Sequence, residues 1–208
     1  MAALSDFYRY ITMDVPGCPL PVVDQAIVDT AIEFCTRTGA WKSWTGPLTT
    51  VANIDEYDID IPTGAIVRQV EAVAVGTKQL GAISDLLETG AMPNWQDNSG
   101  QPTQATYDDE NKVVRLIPTP TLGNETMRFL VSFIPTHNAT TVPDILLQRY
   151  ARGFGAGVKA LLQLQKQAWG DPGAAAINQG FYEDAIHGAT AFTTRQGMRM
   201  PLRSKTSY

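Results

Sequence analysis

The sequence contains few of the residues that metal and redox sites require. Its 208 residues include two cysteines and two histidines, and no CxxC motif is present. This set predicts neither a structural zinc site nor a disulfide framework. Cys35 falls within a helical pattern and is interpreted as a small buried hydrophobe. We therefore do not expect Cys18 and Cys35 to pair.

Long apolar runs and an excess of positive charge are also missing. No run approaches the roughly 20 residues that span a bilayer, and the opening MAALSDFYRY lacks the regions of a signal peptide. Sixteen Lys and Arg against 21 Asp and Glu give a net charge of −5. We therefore expect no membrane insertion and no non-specific electrostatic binding to nucleic-acid phosphates by the chain as a whole.

Catalytic motifs are absent as well. The chain has no GxxxxGK[ST], GxGxxG or GxSxG, and His137 and His187 lack a nucleophile or metal partner in the sequence pattern. Acids cluster at positions 55–60 and 108–110, where a hydrolase could be built. The first cluster alternates with apolar residues like a solvent face, and the second resembles a turn. We predict no enzymatic activity and no cofactor.

The most organised stretch is Pro16–Trp41. After three prolines, apolar residues recur at three- and four-residue spacing and predict a helix that ends at Gly39 in a left-handed cap. Val28 and Ile32 lie off the main stripe. The helix is therefore expected to pack on two sides, against its own fold and against a neighbouring subunit; the alternative is a helix deep in the core.

Two more helices are predicted near the end of the chain. One follows the TVPD run at 141–144; its predicted buried stripe includes Leu161, and its predicted solvated face includes Ala156 and Gln163. It also contains Gly153 and Gly157, which each cost about 1 kcal/mol relative to alanine in a helix. Close approach of another backbone would explain them, so we assign these glycines, with Val28 and Ile32, to a subunit interface. The other begins at Asp171 and Pro172. Its predicted buried stripe is Ile177, Phe181, Ala185, Gly188 and Phe192.

Between the helices the apolar period changes from 3.6 to 2. Alternating segments separated by Gly- and Pro-rich turns predict an antiparallel sheet or small sandwich, and Gly76-Thr77 is predicted to be the turn of a hairpin. We predict an α+β fold in a single domain, residues 1–208. Residues 1–44 and 141–194 form a helical bundle, 45–140 form a β-rich insertion, and 195–208 form an extended tail.

The tail shows neither helical nor strand period. It combines positive charge with apolar anchors and carries no acid after Asp184, so either disorder or docking on a partner is expected. The residues assigned to partner binding are Arg195, Met198, Arg199, Met200, Pro201, Leu202, Arg203, Lys205 and Tyr208.

Several short motifs occur in order along nearly the whole chain. They are PGCP at 16–19, Ala26, AxxFCxxTxxW at 31–41, YDIDIP at 57–62, LIPTP at 116–120, TVPD at 141–144, Gly157 and Trp169. Each motif is weak alone, and their order is the more specific feature. In this order the sequence resembles the head-to-tail adaptor (connector) proteins of tailed bacteriophages, and it is similar to tail tubular protein A of short-tailed phages.

The resemblance implies a structural virion protein made in the host cytoplasm. Such adaptors form a ring, commonly of twelve copies, beneath the portal protein, extend the DNA channel and support the tail nozzle or tube. The C-terminal residues assigned above to partner binding would then bind the portal. A ring of twelve such chains would carry a net charge of roughly −60, which favours DNA sliding over binding. No catalytic residues carry over.

An alternative function of a different class remains open. The chain has four tryptophans, and Trp95 lies in a polar, turn-rich segment predicted to be a long loop. A monomeric module that binds carbohydrate or nucleic acid could use that ring as a stacking platform. The tryptophans are not interleaved with Lys and Arg, so packing in the core and at junctions is the preferred interpretation.

Overall fold

A computed structural model of the chain describes residues 1–82 and 98–195. Within them, helices lie at both ends of the chain and strands lie between. A short 3₁₀ turn, Leu4–Phe7, leads into the first helix. The helices are α1 (Tyr8–Ile11), α2 (Leu20–Thr38), α3 (Asp144–Gln163) and α4 (Pro172–Arg195). This mixture of helix and sheet confirms the predicted α+β class.

The predicted helix boundaries follow from proline, glycine and aspartate chemistry. Pro19 occupies the N-cap of α2 in an extended conformation, and Gly39 ends the helix at φ 58°. Only glycine adopts that left-handed conformation freely, so the predicted cap is confirmed. At α4, one carboxylate oxygen of Asp171 accepts hydrogen bonds from the amides of Gly173 and Ala174, at 3.0 and 3.1 Å. The predicted N-cap is therefore present.

The strands within residues 1–82 and 98–195 form two four-stranded sheets and two small pairs. One sheet has the order β2 (Lys42–Thr49), β11 (Thr126–Pro135), β4 (Ala65–Val75), β5 (Lys78–Gln79). The other has the order β3 (Glu56–Asp58), β9 (Val113–Ile117), β8 (Gln104–Asp108), β6 (Gly81–Ala82). The pairs are β1 (Ala2–Ala3) with β12 (Thr141–Val142), and β7 (Ser99–Gly100) with β10 (Thr119–Pro120).

Antiparallel pairing dominates, as the turn spacing predicted. The predicted hairpin through Gly76 and Thr77 is confirmed, because Val75 pairs with Lys78. Strands β8 and β9 pair from Gln104 opposite Ile117 to Asp108 opposite Val113. Two short pairings, β6 with β8 and β7 with β10, are parallel and depart from the expectation.

The chain divides into two compact units. The described residues of Met1–Ala40 and Pro135–Tyr208 form a helical unit, and those of Trp41–Ile134 form a β unit. The β unit has its own apolar core, in which alternate residues of β11 (Met127, Phe129, Val131 and Phe133) are completely buried. Trp41 packs on Phe133 with ring centroids 5.6 Å apart. The helical unit is built around α3.

Two interpretations of single residues need comment. Cys18 and Cys35 are both free thiols in the structure. Trp44 was expected to pack, but more than half of its surface is exposed. Strand alternation explains the difference, because Thr45 occupies the inward position opposite Phe129 and so directs Trp44 to the other face.

Candidate interaction surfaces

Phe154 is the centre of the helical unit. It is fully buried on α3, and its ring centroid lies 5.0 Å from that of Phe7 and 6.3 Å from that of Phe34. Both contacts are edge-to-face, the arrangement that aromatic quadrupoles prefer. The cluster connects the N-terminal turn, α2 and α3, and so fixes the surfaces that these helices present.

Two of the predicted interface residues make their close contacts inside the chain. A Cβ built on Gly157 would lie 2.4 Å from Cδ2 of Tyr182, and one built on Gly153 would lie 2.3 Å from Cβ of Ala185. Both contacts are with α4. Close helix packing, which was predicted for these glycines, is therefore confirmed within the chain. Their assignment to a subunit interface stays a prediction.

The other two predicted interface residues differ in exposure. Val28 is only 3% exposed, because the side of α2 on which it lies is buried within the helical unit. Ile32 is half-buried and still presents apolar surface. Of these two residues, Ile32 is therefore the one with surface left for a second copy.

The buried face of α4 was predicted incorrectly in part: Gly188 is exposed, whereas Ala185 does pack against Gly153. Ala175, Tyr182, Ile186 and Ala189 are buried, whereas Ile177 and Phe181 are 64% and 59% exposed. The small glycines of α3 let the Tyr182 ring pack closely, and this contact sets the rotation of the helix. The hydroxyl of Tyr182 donates a hydrogen bond to the backbone oxygen of Thr30, at 3.4 Å. Burial raises the Tyr182 pKa well above its usual value.

The exposed ends of α3 and α4 display apolar residues that the sequence pattern missed. Leu161 was placed on the buried stripe but is 40% exposed, and Leu164 is 64% exposed. Conversely, Ala156 and Gln163 were placed on the solvated face and are buried. Several elements contact α3, so no single solvated stripe exists for periodicity to find. On α4, the sequence contains two apolar stripes rather than one, and this feature could have shown that the choice of its buried face was ambiguous.

Side chains near the carboxyl end of α4 hold it in place. The hydroxyl of Thr193 donates a hydrogen bond to the backbone oxygen of Thr38, at 2.8 Å. The guanidinium of Arg149 lies 3.4 Å from the centroid of the Phe192 ring, in a cation–π contact. Arg195 is the last residue of α4. The other residues assigned to partner binding, from Met198 to Tyr208, lie outside the described residues, and so does Trp95.

The first acidic cluster is held by a cation. On β9, the Arg115 guanidinium lies 3.5 Å from the Asp55 carboxylate and forms a second ion pair with Glu56. The exposure of Asp58 and Asp60 on either side of buried Ile59 confirms that these two carboxylates lie on a solvent face. The arrangement is that of a structural ion-pair network.

The second acidic cluster forms the predicted turn, here between β8 and β9. The Asp108 carboxylate accepts hydrogen bonds from the backbone amides of Glu110 and Asn111 and from the Asn111 side chain. These bonds, that of the Asn111 side chain above all, lower the pKa of Asp108. Lys112 pairs with Asp109 at 2.7 Å. Every one of these contacts stabilises the turn.

The described part of the chain offers no further chemical site. Within it, no group of three or more His, Cys, Asp or Glu is arranged to hold a metal ion. His137 and His187 are both exposed. Among residues 1–82 and 98–195, no helix is long and apolar enough to cross a membrane.

Comparison with known proteins identifies a family for the chain. No curated protein matches it. The family model described as SU10 adaptor protein matches residues 3–205, nearly the whole sequence. This is a phage structural family and not an enzymatic one. The chain belongs to the SU10 adaptor protein family.

Proposed function

We propose that this protein forms an oligomeric ring that joins the portal to the tail and extends the DNA channel. The observation that carries the proposal is the family match across residues 3–205. An adaptor of this kind is a virion component that interacts with portal and tail proteins. A ring of twelve copies, and the finer similarity to tail tubular protein A, are parts of the proposal.

Different parts of the chain have different roles in the proposed ring. The helices predicted within 1–44 and 141–194 form the ring body, and the β-rich residues 45–140 contact neighbours and the tail nozzle or tube. With a net charge of −5 for each chain, the ring repels DNA phosphates and lets the DNA slide through the channel.

The C-terminal residues are proposed to bind the portal. They follow directly from α4, whose end is anchored through Thr193 and Phe192, so binding energy gained there is transmitted to a rigid helix. Arg199, Arg203 and Lys205 would pair with acidic portal residues, and Met198, Met200 and Leu202 would fill apolar crevices.

Deletion of residues 196–208 tests this assignment. We expect an unchanged far-ultraviolet circular dichroism spectrum and thermal midpoint, together with loss of binding to immobilised portal protein. A double variant, Arg199→Glu with Arg203→Glu, should reproduce the loss, whereas Ser204→Ala with Thr206→Ala should bind normally. Portal binding that survives the deletion would show that residues 196–208 are not part of the portal interface.

The lateral contact in the ring is proposed to include Ile32. Of the four predicted interface residues, Val28 and Gly157 are buried within the chain, while Ile32 and Gly153 are only half-buried. Ile32→Glu should leave the thermal midpoint within about 2 °C, as expected for a partly exposed site, yet prevent rings in electron micrographs of portal mixtures. Rings formed normally by this variant would exclude Ile32 from the contact.

A saccharide or nucleic-acid module built around Trp95 makes a different prediction. It requires a saturable change in tryptophan fluorescence when oligosaccharides or oligonucleotides are added, whereas the adaptor requires none. Because the family is structural, we expect a flat titration. Trp95→Phe serves as the matched control for any response that does appear.

A further inference from the structure

The helical unit contains a groove lined by three of its helices. It lies between α2 and α4 over the carboxyl half of α3, with a volume of about 220 Å³. Small-molecule sites typically occupy about 300–1,000 Å³, so this groove suits one or two side chains. Its lining residues are Asp29, Thr30, Glu33, Gly157, Leu161, Leu164 and Gln179.

The groove combines an apolar floor with a negative rim. Leu161 and Leu164 supply exposed aliphatic surface on α3. Two carboxylates, Asp29 and Glu33, line the α2 side, and the described lining residues include no Lys or Arg. A neighbouring cation, Arg37, contacts Glu33 but also Glu183, so its single charge is shared between two acids. The rim therefore keeps an excess of negative charge.

The C-terminal residues of the same chain have the opposite character. Positions 196–208 contain Arg199, Arg203 and Lys205 and no Asp or Glu. Met200 and Leu202 are interspersed with these cations. We propose that, in the free protein, this segment folds back along α4 and docks in the groove, with Leu202 on the floor and Arg203 or Lys205 at the acidic rim.

The length of the segment permits this path. The groove is level with Gln179, 16 residues before the end of α4 at Arg195, which corresponds to about 24 Å of helix. Leu202 is the seventh residue after Arg195, and an extended chain covers roughly 3.3–3.6 Å per residue. Leu202 therefore just reaches the groove, and Arg203 and Lys205 reach it comfortably. Met198 cannot reach it.

Tethering compensates for the small contact area. A groove of this size binds a free peptide weakly, but a short flexible linker supplies an effective concentration in the millimolar range. Weak intrinsic affinity is then enough to populate the docked state. The docked side chains are those proposed to bind the portal, so docking would compete with portal binding. The inference itself concerns the free chain and needs no ring.

Photo-crosslinking of the full-length chain tests the docking. Benzoylphenylalanine is introduced in place of Leu202, the protein is irradiated without portal, and crosslinked peptides are identified by mass spectrometry. We expect crosslinks within one chain to residues 25–33 or 157–164. The same probe in place of Met198, which lies too close to Arg195 along the chain to reach the groove, is the position control and should give none of these crosslinks.

The acidic rim is tested in the same assay. Asp29→Asn with Glu33→Gln should reduce the yield about fivefold or more, the loss expected when exposed ion pairs are removed. Asp58→Asn, which changes an exposed carboxylate of the β unit, should leave it unchanged. Crosslinks that form only between chains, or only to residues outside 25–33 and 157–164, would overturn the proposal. A crosslink yield that the two rim substitutions leave unchanged would also overturn it. Because portal is absent, none of these results depends on the proposed ring.

Discussion

The contact between Gly157 and Tyr182 makes a sharp prediction about stability. A Cβ at position 157 would lie 2.4, 2.6 and 2.8 Å from three atoms of the Tyr182 ring, and that ring is 2% exposed and cannot swing aside. Overpacking of this kind costs about 1–3 kcal/mol. The higher helix propensity of alanine relative to glycine offsets about 1 kcal/mol of this cost. Gly157→Ala should therefore destabilise the protein by up to about 2 kcal/mol.

Gly180→Ala is the matched control on the neighbouring helix. No heavy atom lies within 4 Å of a Cβ at position 180, so only the helix propensity acts. The control should stabilise the protein by about 0.5–1 kcal/mol. For a chain of this length, 1 kcal/mol corresponds to about 2–4 °C in the thermal midpoint. The two variants should thus shift the midpoint in opposite directions.

Urea and thermal unfolding followed by circular dichroism at 222 nm measure both variants. The reasoning requires Gly157→Ala to unfold at lower urea concentration than wild type, and Gly180→Ala at higher. A Gly157→Ala variant as stable as Gly180→Ala would show that the two helices do not approach as closely as the structure has them, and would refute the account of these glycines.

Two further predictions concern ionisable groups. Burial, with the nearby negative charges of Asp109 and Asp108, raises the pKa of Tyr107 to about 12. The folded state therefore holds the phenol proton more tightly than the unfolded state. The free energy of unfolding should fall as pH rises from about 10 towards 12. Tyr107→Phe should flatten that part of a plot of urea midpoint against pH, and an unchanged slope would contradict the assignment. The Arg37 guanidinium lowers the pKa of Glu183, so the pair contributes stability above the usual glutamate pKa and loses it on acidification. Glu183→Gln should reduce the unfolding free energy by at most about 1 kcal/mol at pH 7, as for exposed ion pairs, and by less in 1 M salt; an effect independent of salt would argue against an ionic contribution.

Local chemistry explains which elements were predictable from sequence. Gly39 ends α2 and Asp171 caps α4 through interactions with residues at most four positions away. Such signals survive without knowledge of the fold. The hairpin at Gly76 is likewise a local event. For these elements, a few adjacent residues determine the backbone.

Tertiary contacts explain the errors. The α4 sequence carries two apolar stripes, and periodicity alone favoured Ile177 and Phe181. The stripe that is buried contains Tyr182, because Gly157 on another helix leaves room for its ring. Likewise, Leu161 was predicted to be buried but is exposed, because it lines the groove between two helices. The choice depends on a partner more than 20 residues away, which a local pattern does not contain.

The candidate surfaces were predictable to different extents. The charge and apolar content of 195–208 predict either disorder or docking on a partner from composition alone, and the assignment to partner binding stays a prediction. The groove was not foreseen, because its rim and floor come from α2, α3 and α4. Close packing was correctly inferred for Gly153 and Gly157, but the inference could not distinguish a helix of the same chain from one of a neighbouring copy.

Electron microscopy of this protein mixed with its portal protein tests the central claim most directly. The account predicts a ring of adaptor density, coaxial with the portal and continuous with its channel, with residues 196–208 ordered against portal subunits. Adaptor chains that fail to associate with the portal, or that remain single with no contact between copies, would contradict it.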